Sequence, residues 1–254
     1  MDMEKKGDGS SAPDLKPKKQ RSEKFVRNVA VNLILAAVVI IIFSVSLIPE
    51  ITSAFNPHQN GAYYGGNKQN KNIALMINVY WGNEYIDGML KVLETEKVRL
   101  TFFVGGSWAA SYPEILEKIH NARHEIGNHG YYHKDHKLLS ESRNREEINV
   151  THKLVEATIG VKMNLFAPPS GSFSAVTIKV ASELGYKTIM WTRDTIDWRD
   201  KDENLIYSRA VKNMKNGDLI LMHPTECTLK ALPRIISTMK NQGFKITTVT
   251  ETIN

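Results

Sequence analysis

The stretch IALMINV, residues 73–79, is apolar at every position except Asn78. Alternate side chains of a strand point to opposite faces, so a run without polar alternation predicts a strand buried on both faces. Six further short runs, rich in apolar and β-branched residues, follow along the chain: LTFFVGG (100–106), EIGNHG (125–130), NLFAPP (164–169), TIMWTRD (188–194), DLILMHP (218–224) and KITTVT (245–250).

Segments with helical periodicity separate these runs, for instance residues 112–123, 175–185 and 228–243. Several of them end near a glycine, as helix C-termini commonly do. Seven strands separated by helices predict an α/β domain with a parallel sheet. An irregular (β/α) barrel of about seven strands is the favoured closure at this length, and a doubly wound open sheet is the alternative.

Composition narrows the possible functions. The 254 residues are 42% hydrophobic, enough for a full core, and the single Cys227 excludes both an intrachain disulfide and a two-cysteine zinc knuckle. Any metal must therefore be held by His, Asp or Glu. The net charge is +6, but residues 1–28 alone hold eight Lys/Arg against five Asp/Glu. The rest of the excess is spread thinly, which argues against a nucleic-acid partner.

Near the N-terminus, VAVNLILAAVVIIIFSVSLI (29–48) carries no charge and is long enough to cross roughly 30 Å of hydrocarbon as a helix. Its basic upstream flank predicts a single-pass protein of the cell membrane, with the C-terminal part outside the cytoplasm. A cleaved signal peptide is the alternative, although its apolar core usually has only roughly 7–15 residues. A buried soluble helix fits less well, because the run has no polar face. The predicted organisation is a cytoplasmic tail (1–28), an anchor (29–48), a Gly-rich flexible tether (49–71) and a globular domain (72–254).

Residues with reactive side chains cluster where the predicted strands end. In parallel α/β folds the carboxyl ends of the strands meet on one side, and chemistry gathers there. The residues in question are Asn78, His129 and His133, the Pro168–Gly171 turn, Asp194 and Asp197, and His223. Their convergence predicts a single site at one rim of the barrel.

Two of these residues, His129 and His133, come from one segment. Gly127 and Gly130 favour a strand-to-loop exit over a helix at this point. Two imidazoles from one loop can still bind zinc and leave positions open for water and substrate. A solvent-facing polar loop is the alternative interpretation.

The remaining histidines are expected in solvated positions. His136 stands beside the charged Lys134 and Asp135 and is predicted to lie on the surface. The same expectation applies to the isolated histidines His58, His120, His124 and His152.

Five motifs, taken together and in order, resemble the polysaccharide deacetylase family, the NodB-homology carbohydrate esterases of family 4. They are WGNE (81–84), HEIGNHGYYH (124–133), PPSGSF (168–173), WTRDTIDW (191–198) and LILMH (219–223). The resemblance covers residues 72–252 and is strongest to membrane-anchored, sporulation-associated members. It implies an irregular barrel and a divalent metal, usually zinc, that assists removal of N-acetyl groups from cell-wall polysaccharide.

The resemblance also implies roles for individual residues. His129 and His133 match the metal-binding histidines, with Gly130 in place of the hydroxyl residue that braces their loop. His223 matches the general acid, Asp194 an orienting carboxylate, and the backbone N–H of Ser170 an oxyanion donor. The implied substrate-binding residues are Trp81, Pro169, Gly171, Asp197 and Trp198.

The first motif departs most from the family's Thr-Phe-Asp-Asp. This chain has Met-Ile-Asn-Val, with Asn78 at the position of the catalytic base and Val79 at that of a metal ligand. The arginine that opens the third motif is also missing, since Ala167 stands there. These losses predict a weakly held metal and slow turnover, with Glu84 or Asp194 as a substitute carboxylate. Restoring both carboxylates should raise deacetylation and tighten metal binding. A glycan-binding protein without turnover is the alternative.

Overall fold

The computed structural model describes residues 25–40 and 58–254. Residues 25–40 are helical (α1), with exposed apolar side chains such as Leu33. Within these two described ranges, no helix is both long and apolar enough to cross a membrane. The end of the predicted anchor (29–48), most of the predicted tail and the start of the predicted tether lie outside the described residues.

A second compact unit, residues 56–254, contains the sheet. Its described strands are β1 (His58–Gln59), β2 (Ala62–Tyr63), β3 (Asn72–Val79), β4 (Thr101–Val104), β5 (Glu125–Asn128), β6 (Leu165–Phe166), β7 (Lys187–Ile189), β8 (Arg193–Asp194), β9 (Leu219–Met222) and β10 (Lys245–Thr247). They are ordered β1-β2-β7-β6-β5-β4-β3-β9-β8, and β10 pairs with β3. The β1–β2 hairpin is antiparallel and the other pairs are parallel. The predicted α/β class with a parallel sheet is confirmed.

The sheet curls because one short segment reaches both of its ends. β7 pairs with β6, whereas β8 pairs with β9, although only residues 190–192 separate the two strands in the chain. The segment 187–194 therefore bridges the ends of the parallel sheet. The prediction of one continuous strand over 188–194 is wrong in this respect, since the chain must leave its first partner to cross the gap.

β3 is buried on both faces, as its sequence predicts. Ile73, Leu75, Ile77 and Val79 belong to the larger apolar cluster, which includes most of the buried helix residues. Ala74 and Met76 belong to the smaller cluster, together with residues of β4, β6, β7 and β9. Since side chains alternate along a strand, Asn78 falls on the face of Ala74 and Met76, at the carboxyl end of β3. The position of the first site residue follows directly from this alternation.

Helices connect the strands. They are α2 (Asn83–Thr95), α3 (Gly106–Ser111), α4 (Pro113–Asn121), α5 (Glu141–Ile159), α6 (Ala175–Glu183), α7 (Glu203–Val211), α8 (Glu226–Asn241) and α9 (Val249–Ile253), with short 3-10 turns at His136–Leu138 and Pro169–Gly171. The three helical segments predicted from periodicity correspond to α4, α6 and α8. The hydroxyl of Ser140 caps α5 by accepting the Arg143 N–H, which satisfies one of the free donors of the first turn.

The predicted tether is shorter at its C-terminal end than the sequence suggested. β1 and β2 lie within it, and β2 pairs with β7. Gly66 then donates its N–H to the carbonyl of Gly217 over 2.7 Å. A Cβ at Gly66 would lie 2.2 Å from the carbonyl oxygen of Thr252, so only glycine permits this approach. The folded unit therefore starts before residue 72.

Candidate active site

A cavity of about 340 Å³ opens where β3, β5 and β9 end. The structure brings eight predicted site residues together on its wall: Asn78, Trp81, His129, His133, Ser170, Asp194, Trp198 and His223. Three further lining residues, Tyr80, Trp191 and Leu221, were not predicted. Pro169, Gly171 and Asp197, predicted to bind substrate, are not among the lining residues. The eight residues therefore meet at one site beside the carboxyl ends of the strands, as the sequence predicted.

His129 is buried, and one hydrogen bond fixes its orientation. Its Nδ1 lies 2.7 Å from the carbonyl oxygen of Ala167. A carbonyl only accepts, so Nδ1 carries the proton and Nε2 keeps its lone pair. Burial lowers the pKa of the imidazole well below its ordinary range, and the nearby His133 ring lowers it further. His129 is therefore a neutral imidazole with an unprotonated Nε2, the form that binds metals.

His133 lies across from His129, further along the same loop. The two ring centroids are 5.1 Å apart, and the rings are inclined by 69°. On its other side the His133 ring packs against Tyr80, with centroids 4.9 Å apart. Burial lowers the pKa of His133, and the His223 ring adds to the effect. The backbone of His133 has φ of 53°, an unusual conformation for a residue with a side chain.

His223 follows β9 and is held by Asp197. Its Nδ1 donates to Asp197 Oδ1 over 2.8 Å, and its backbone N–H donates to Asp197 Oδ2 over 2.6 Å. The hydroxyl of Thr228, in the first turn of α8, also donates to Oδ2. These bonds fix the ring so that Nε2 remains available to a ligand in the cavity. The side chain of Asp197 is fully buried, so its predicted substrate-binding role is wrong, and it orients His223 instead.

Asp194, predicted to be the orienting carboxylate, forms no hydrogen bond or ion pair with His223 in the described structure. Its Oδ1 accepts the Ile196 N–H over 2.8 Å, within the turn that leads to Asp197. Asp194 is nevertheless the one carboxylate among the lining residues. Glu84, the other substitute suggested by the sequence, is exposed in the first turn of α2 and does not line the cavity.

Asn78 and Val79 face different sides of the sheet. Asn78 lines the cavity with 4% of its surface exposed, and its Oδ1 is buried without a hydrogen-bond partner in the described structure. Val79 is fully buried in the apolar cluster on the opposite face. A carboxylate at position 79 would enter that cluster and not the cavity. The expectation that carboxylates at both positions rebuild the site stays a prediction, and the placement of Val79 favours Asn78→Asp alone as the restoring change.

The turn after β6 brings Ser170 to the cavity wall. Ser170 has φ of 54° and Gly171 has φ of 65°, so two successive residues are left-handed. A Cβ at Gly171 would lie 2.6 Å from the ring of Trp191, which explains the glycine. Pro169 is buried beneath the turn. Pro169 and Gly171 therefore shape the turn that presents Ser170.

Aromatic rings form much of the remaining wall. Trp81 stacks on His223 with centroids 5.9 Å apart and planes inclined by 7°. Trp81 is 42% exposed and Trp198 is 55% exposed, which leaves two aromatic faces open at the mouth of the cavity. Such faces pack well against the apolar faces of rigid ligands. Tyr80 directly follows β3 and Trp191 lies between β7 and β8, where an aromatic side chain is equally typical of the core, so the sequence did not predict either of them.

Two histidines predicted to be solvated are buried. His136 is fully buried, with its Nδ1 2.8 Å from Asn144 Oδ1, and its Nε2 has no partner in the described structure. His124 is 7% exposed and accepts the Leu100 N–H at Nδ1 over 3.1 Å. The charged neighbours of His136 in sequence suggested exposure, but α5 covers the ring.

The residues suited to a divalent metal are His129 and His133. Both line the cavity, and burial disfavours the protonation that would compete with a metal. Among the described residues, no three His, Cys, Asp or Glu side chains gather as a metal cluster. The donors present therefore fit a two-imidazole site that water would have to complete.

A sequence model for the polysaccharide deacetylase family matches residues 65–189. The peptidoglycan-N-acetylmuramic acid deacetylase PdaA of Bacillus subtilis is 30% identical over 188 residues, covering 72% of this chain and 72% of PdaA. The chain belongs to the polysaccharide deacetylase family. The predicted resemblance of the chain to that family is confirmed.

Further similar proteins include an uncharacterized relative and a solved pseudoenzyme. The uncharacterized protein YlxY of Bacillus subtilis is 43% identical over 188 residues, covering 74% of this chain but only 59% of YlxY. Among solved structures, a CE4-family pseudoenzyme of Bacillus anthracis matches with a TM-score of 0.75 at 37% identity, covering 77% of this chain and 70% of the pseudoenzyme. A mutant of it with restored enzymatic activity matches with a TM-score of 0.75 at 36% identity, covering 77% and 72%.

Proposed function

We propose that the domain binds N-acetylated cell-wall polysaccharide in this cavity and removes acetyl groups from it slowly, as an attenuated metal-assisted N-deacetylase. One observation carries the proposal: His223, oriented by Asp197, shares a cavity with the neutral imidazoles of His129 and His133. Family relatives named as peptidoglycan deacetylases, such as PdaA, support the substrate class.

His223 supplies the proton for the leaving group in this proposal. Nδ1 is engaged by Asp197, so the proton passes from Nε2 to the amine nitrogen as the amide bond breaks. The Asp197 carboxylate holds the ring in one orientation. Trp81 packs against the ring and limits its movement on the cavity side.

His129 and His133 would hold the metal, for which zinc is our expectation, weakly bound. When bound, a divalent metal supplies Lewis-acid polarisation of the acetyl carbonyl and makes a coordinated water more acidic. Ser170, on the same cavity wall, offers its backbone N–H to the developing oxyanion.

Asn78 is the reason for slow turnover. A carboxamide does not accept a proton from water near neutral pH, and general-base assistance typically contributes about 10²–10⁴ in rate. Asp194 is the lining carboxylate that would substitute for the base, at some cost in alignment.

A glycan-binding protein without turnover is the second candidate. Two observations favour it: Asn78 occupies the base position, and a CE4-family pseudoenzyme matches the chain at 37% identity. Recognition would then rest on the aromatic faces of Trp81 and Trp198, which do not depend on a base.

We also propose that residues 29–48 anchor the protein in the cell membrane, with residues 49–254 on the outer side. The uncharged run and its basic flank support this topology. A domain held there would meet its polysaccharide at the membrane surface.

The deciding experiment compares the native chain with Asn78→Asp. Each full-length protein is purified in mild detergent, supplied with zinc and incubated with an N-acetylated chitooligosaccharide, and acetate release and ligand affinity are both measured. We expect slow release by the native protein and an increase of about 10²-fold or more in the variant. Asp194→Asn, made in the native background, tests the substitute base.

The outcomes separate the two candidates. If neither protein releases acetate while both bind the oligosaccharide, the binding protein is the correct description. If the native chain already equals Asn78→Asp in rate, the account of a lost base is wrong. If neither protein binds the ligand, both candidates fail for this substrate class.

A further inference from the structure

The loop between the two candidate metal ligands is held from below by a buried carboxylate. The backbone N–H groups of Tyr131 and Tyr132 both donate to Glu147 Oε2, over 2.8 and 2.7 Å. Glu147 lies on α5 and is 2% exposed. It forms no ion pair within the described residues, so these two donors are its main compensation for burial.

Gly130 makes this arrangement possible. Its φ of 70° turns the chain so that two successive N–H groups point to the same side, which creates a small anion-binding concavity. A Cβ at Gly130 would lie 3.0 Å from His136 Nε2 and 3.5 Å from Glu147 Oε2. The turn at Gly130 and the carboxylate of Glu147 therefore depend on each other, because a side chain at residue 130 would crowd the ring of His136 and leave little room beside the carboxylate.

The same face of α5 also holds the far end of the loop. Asn144, one turn before Glu147, accepts from His136 Nδ1 over 2.8 Å and donates to the His136 carbonyl over 3.2 Å. Both side chains are buried. The loop from His129 to His136 is thus fixed at two points against a helix, while its middle carries His133 in a strained conformation.

We infer that Glu147 is a positioning residue for the metal-binding loop. The family motif has a hydroxyl residue that braces this loop, and this chain has Gly130 at that position. Here the turn at Gly130 and the Glu147 carboxylate together take over the bracing. Its two hydrogen bonds set the path from His129 to His133 and so the separation of their rings. The inference rests on the proposed metal site, and its geometric part stands independently of that site.

The test uses three substitutions in the full-length chain. Glu147→Ala removes the acceptor, Glu147→Gln keeps an oxygen for the two N–H donors, and Glu146→Ala is the matched control. Glu146 is the adjacent residue on α5, exposed and paired with Arg143. Cobalt(II) binding is measured by titration calorimetry, and NMR of the metal-free proteins reports amide exchange at Tyr131 and Tyr132 and the ring resonances of His129 and His133.

We expect Glu147→Ala to weaken cobalt(II) binding about 10- to 100-fold, the usual effect of losing a group that orients a ligand. In the same variant the two tyrosine amides should exchange faster and the His133 resonances should shift. Glu147→Gln should stay within about threefold of the native affinity, and Glu146→Ala should leave both readouts unchanged. Recovery by glutamine separates loop positioning from a general loss of fold.

Unchanged amide protection and ring resonances in Glu147→Ala would overturn the inference. So would glutamine and alanine variants that are equally impaired, because the hydrogen bonds would then not be the cause. If the native chain binds no cobalt(II) but the amides and rings respond as expected, the positioning role stands and the proposed metal site fails.

Discussion

Acid should destabilise this domain through His124, a residue remote from the cavity. His124 Nδ1 accepts the Leu100 N–H over 3.1 Å, so the neutral ring carries its proton on Nε2. The ring packs on Phe102 with centroids 5.2 Å apart. Protonation would put a hydrogen on Nδ1, break this bond and charge a buried ring. Burial, and secondly the charge of Arg99, lower the pKa of His124 from 6.5 to about 4.

The size of the effect follows from proton linkage. The unfolded chain takes up a proton as the pH falls through 6.5, whereas the folded chain resists until the pH reaches about 4. The contribution of His124 to the free energy of unfolding is therefore fully present above pH 6.5 and is lost as the pH falls from 6.5 to about 4. When the pKa is lowered from 6.5 to about 4, the total loss in the free energy of unfolding is about 3 kcal/mol. About 2 kcal/mol of this is already lost at pH 5.

The substitution His124→Asn isolates this contribution. The Oδ1 of asparagine can accept the Leu100 N–H in place of Nδ1, but it does not titrate. Urea unfolding at pH 7 and pH 5 is followed by tryptophan fluorescence, since all four tryptophans lie within residues 81–198. We expect the variant to lose about 2 kcal/mol less than the native chain between these pH values.

His120→Asn, a half-buried residue on α4, serves as the control and should follow the native pH dependence. Equal losses in His124→Asn and the native chain would refute the reasoning, because another group would then carry the acid sensitivity.

Three further predictions concern the site and the topology. In an Asn78→Asp background, Asp197→Asn should lower the rate of acetate release by about 10²–10⁴-fold, because it disturbs the general acid His223. Glycan binding should not weaken, since the aromatic walls are unchanged. A loss of binding instead would give Asp197 a different role. Val79→Asp should lower the free energy of unfolding by about 3 kcal/mol or more, measured with urea, and should not tighten metal binding, because it buries a carboxylate among apolar side chains. Protease added to intact protoplasts should remove residues 49–254, and complete protection of that segment would contradict the proposed orientation.

The sequence predicts the strands well because most of them are buried on both faces. In an α/β chain, an apolar run such as residues 73–79 predicts a central buried strand. The alternation of side chains along it places Asn78 on the face of Ala74 and Met76, where the structure has it. The run at 188–194 misleads because it also looks continuous. Its division into β7 and β8 depends on which distant strands lie on either side, and no local pattern contains that information.

The errors in the site have the same origin. Asp194 and Asp197 carry the same side chain three residues apart, and only the folded chain, in which Asp197 meets both His223 and Thr228 of α8, shows which carboxylate holds the ring. His136 was misplaced for a related reason. Its charged sequence neighbours point to solvent, while Asn144 on α5 provides the buried partner. Partners far apart in the chain decide these cases, and they become visible only once the helices are docked.

The isolation of the Asn78 oxygen bears on how members of this family gain and lose activity. That atom is bonded neither to the loop of His129 and His133 nor to the pair of His223 and Asp197, so its exchange leaves both arrangements intact. On the proposed function, a substitution at position 78 would change hydrolysis and leave the recognition surfaces as they are. In terms of mutational distance, asparagine and aspartate at position 78 are one base change apart, and that change would remove no hydrogen bond from either arrangement. The way back to the complete family motifs is longer, because Val79 and Ala167 also stand where those motifs have a carboxylate and an arginine.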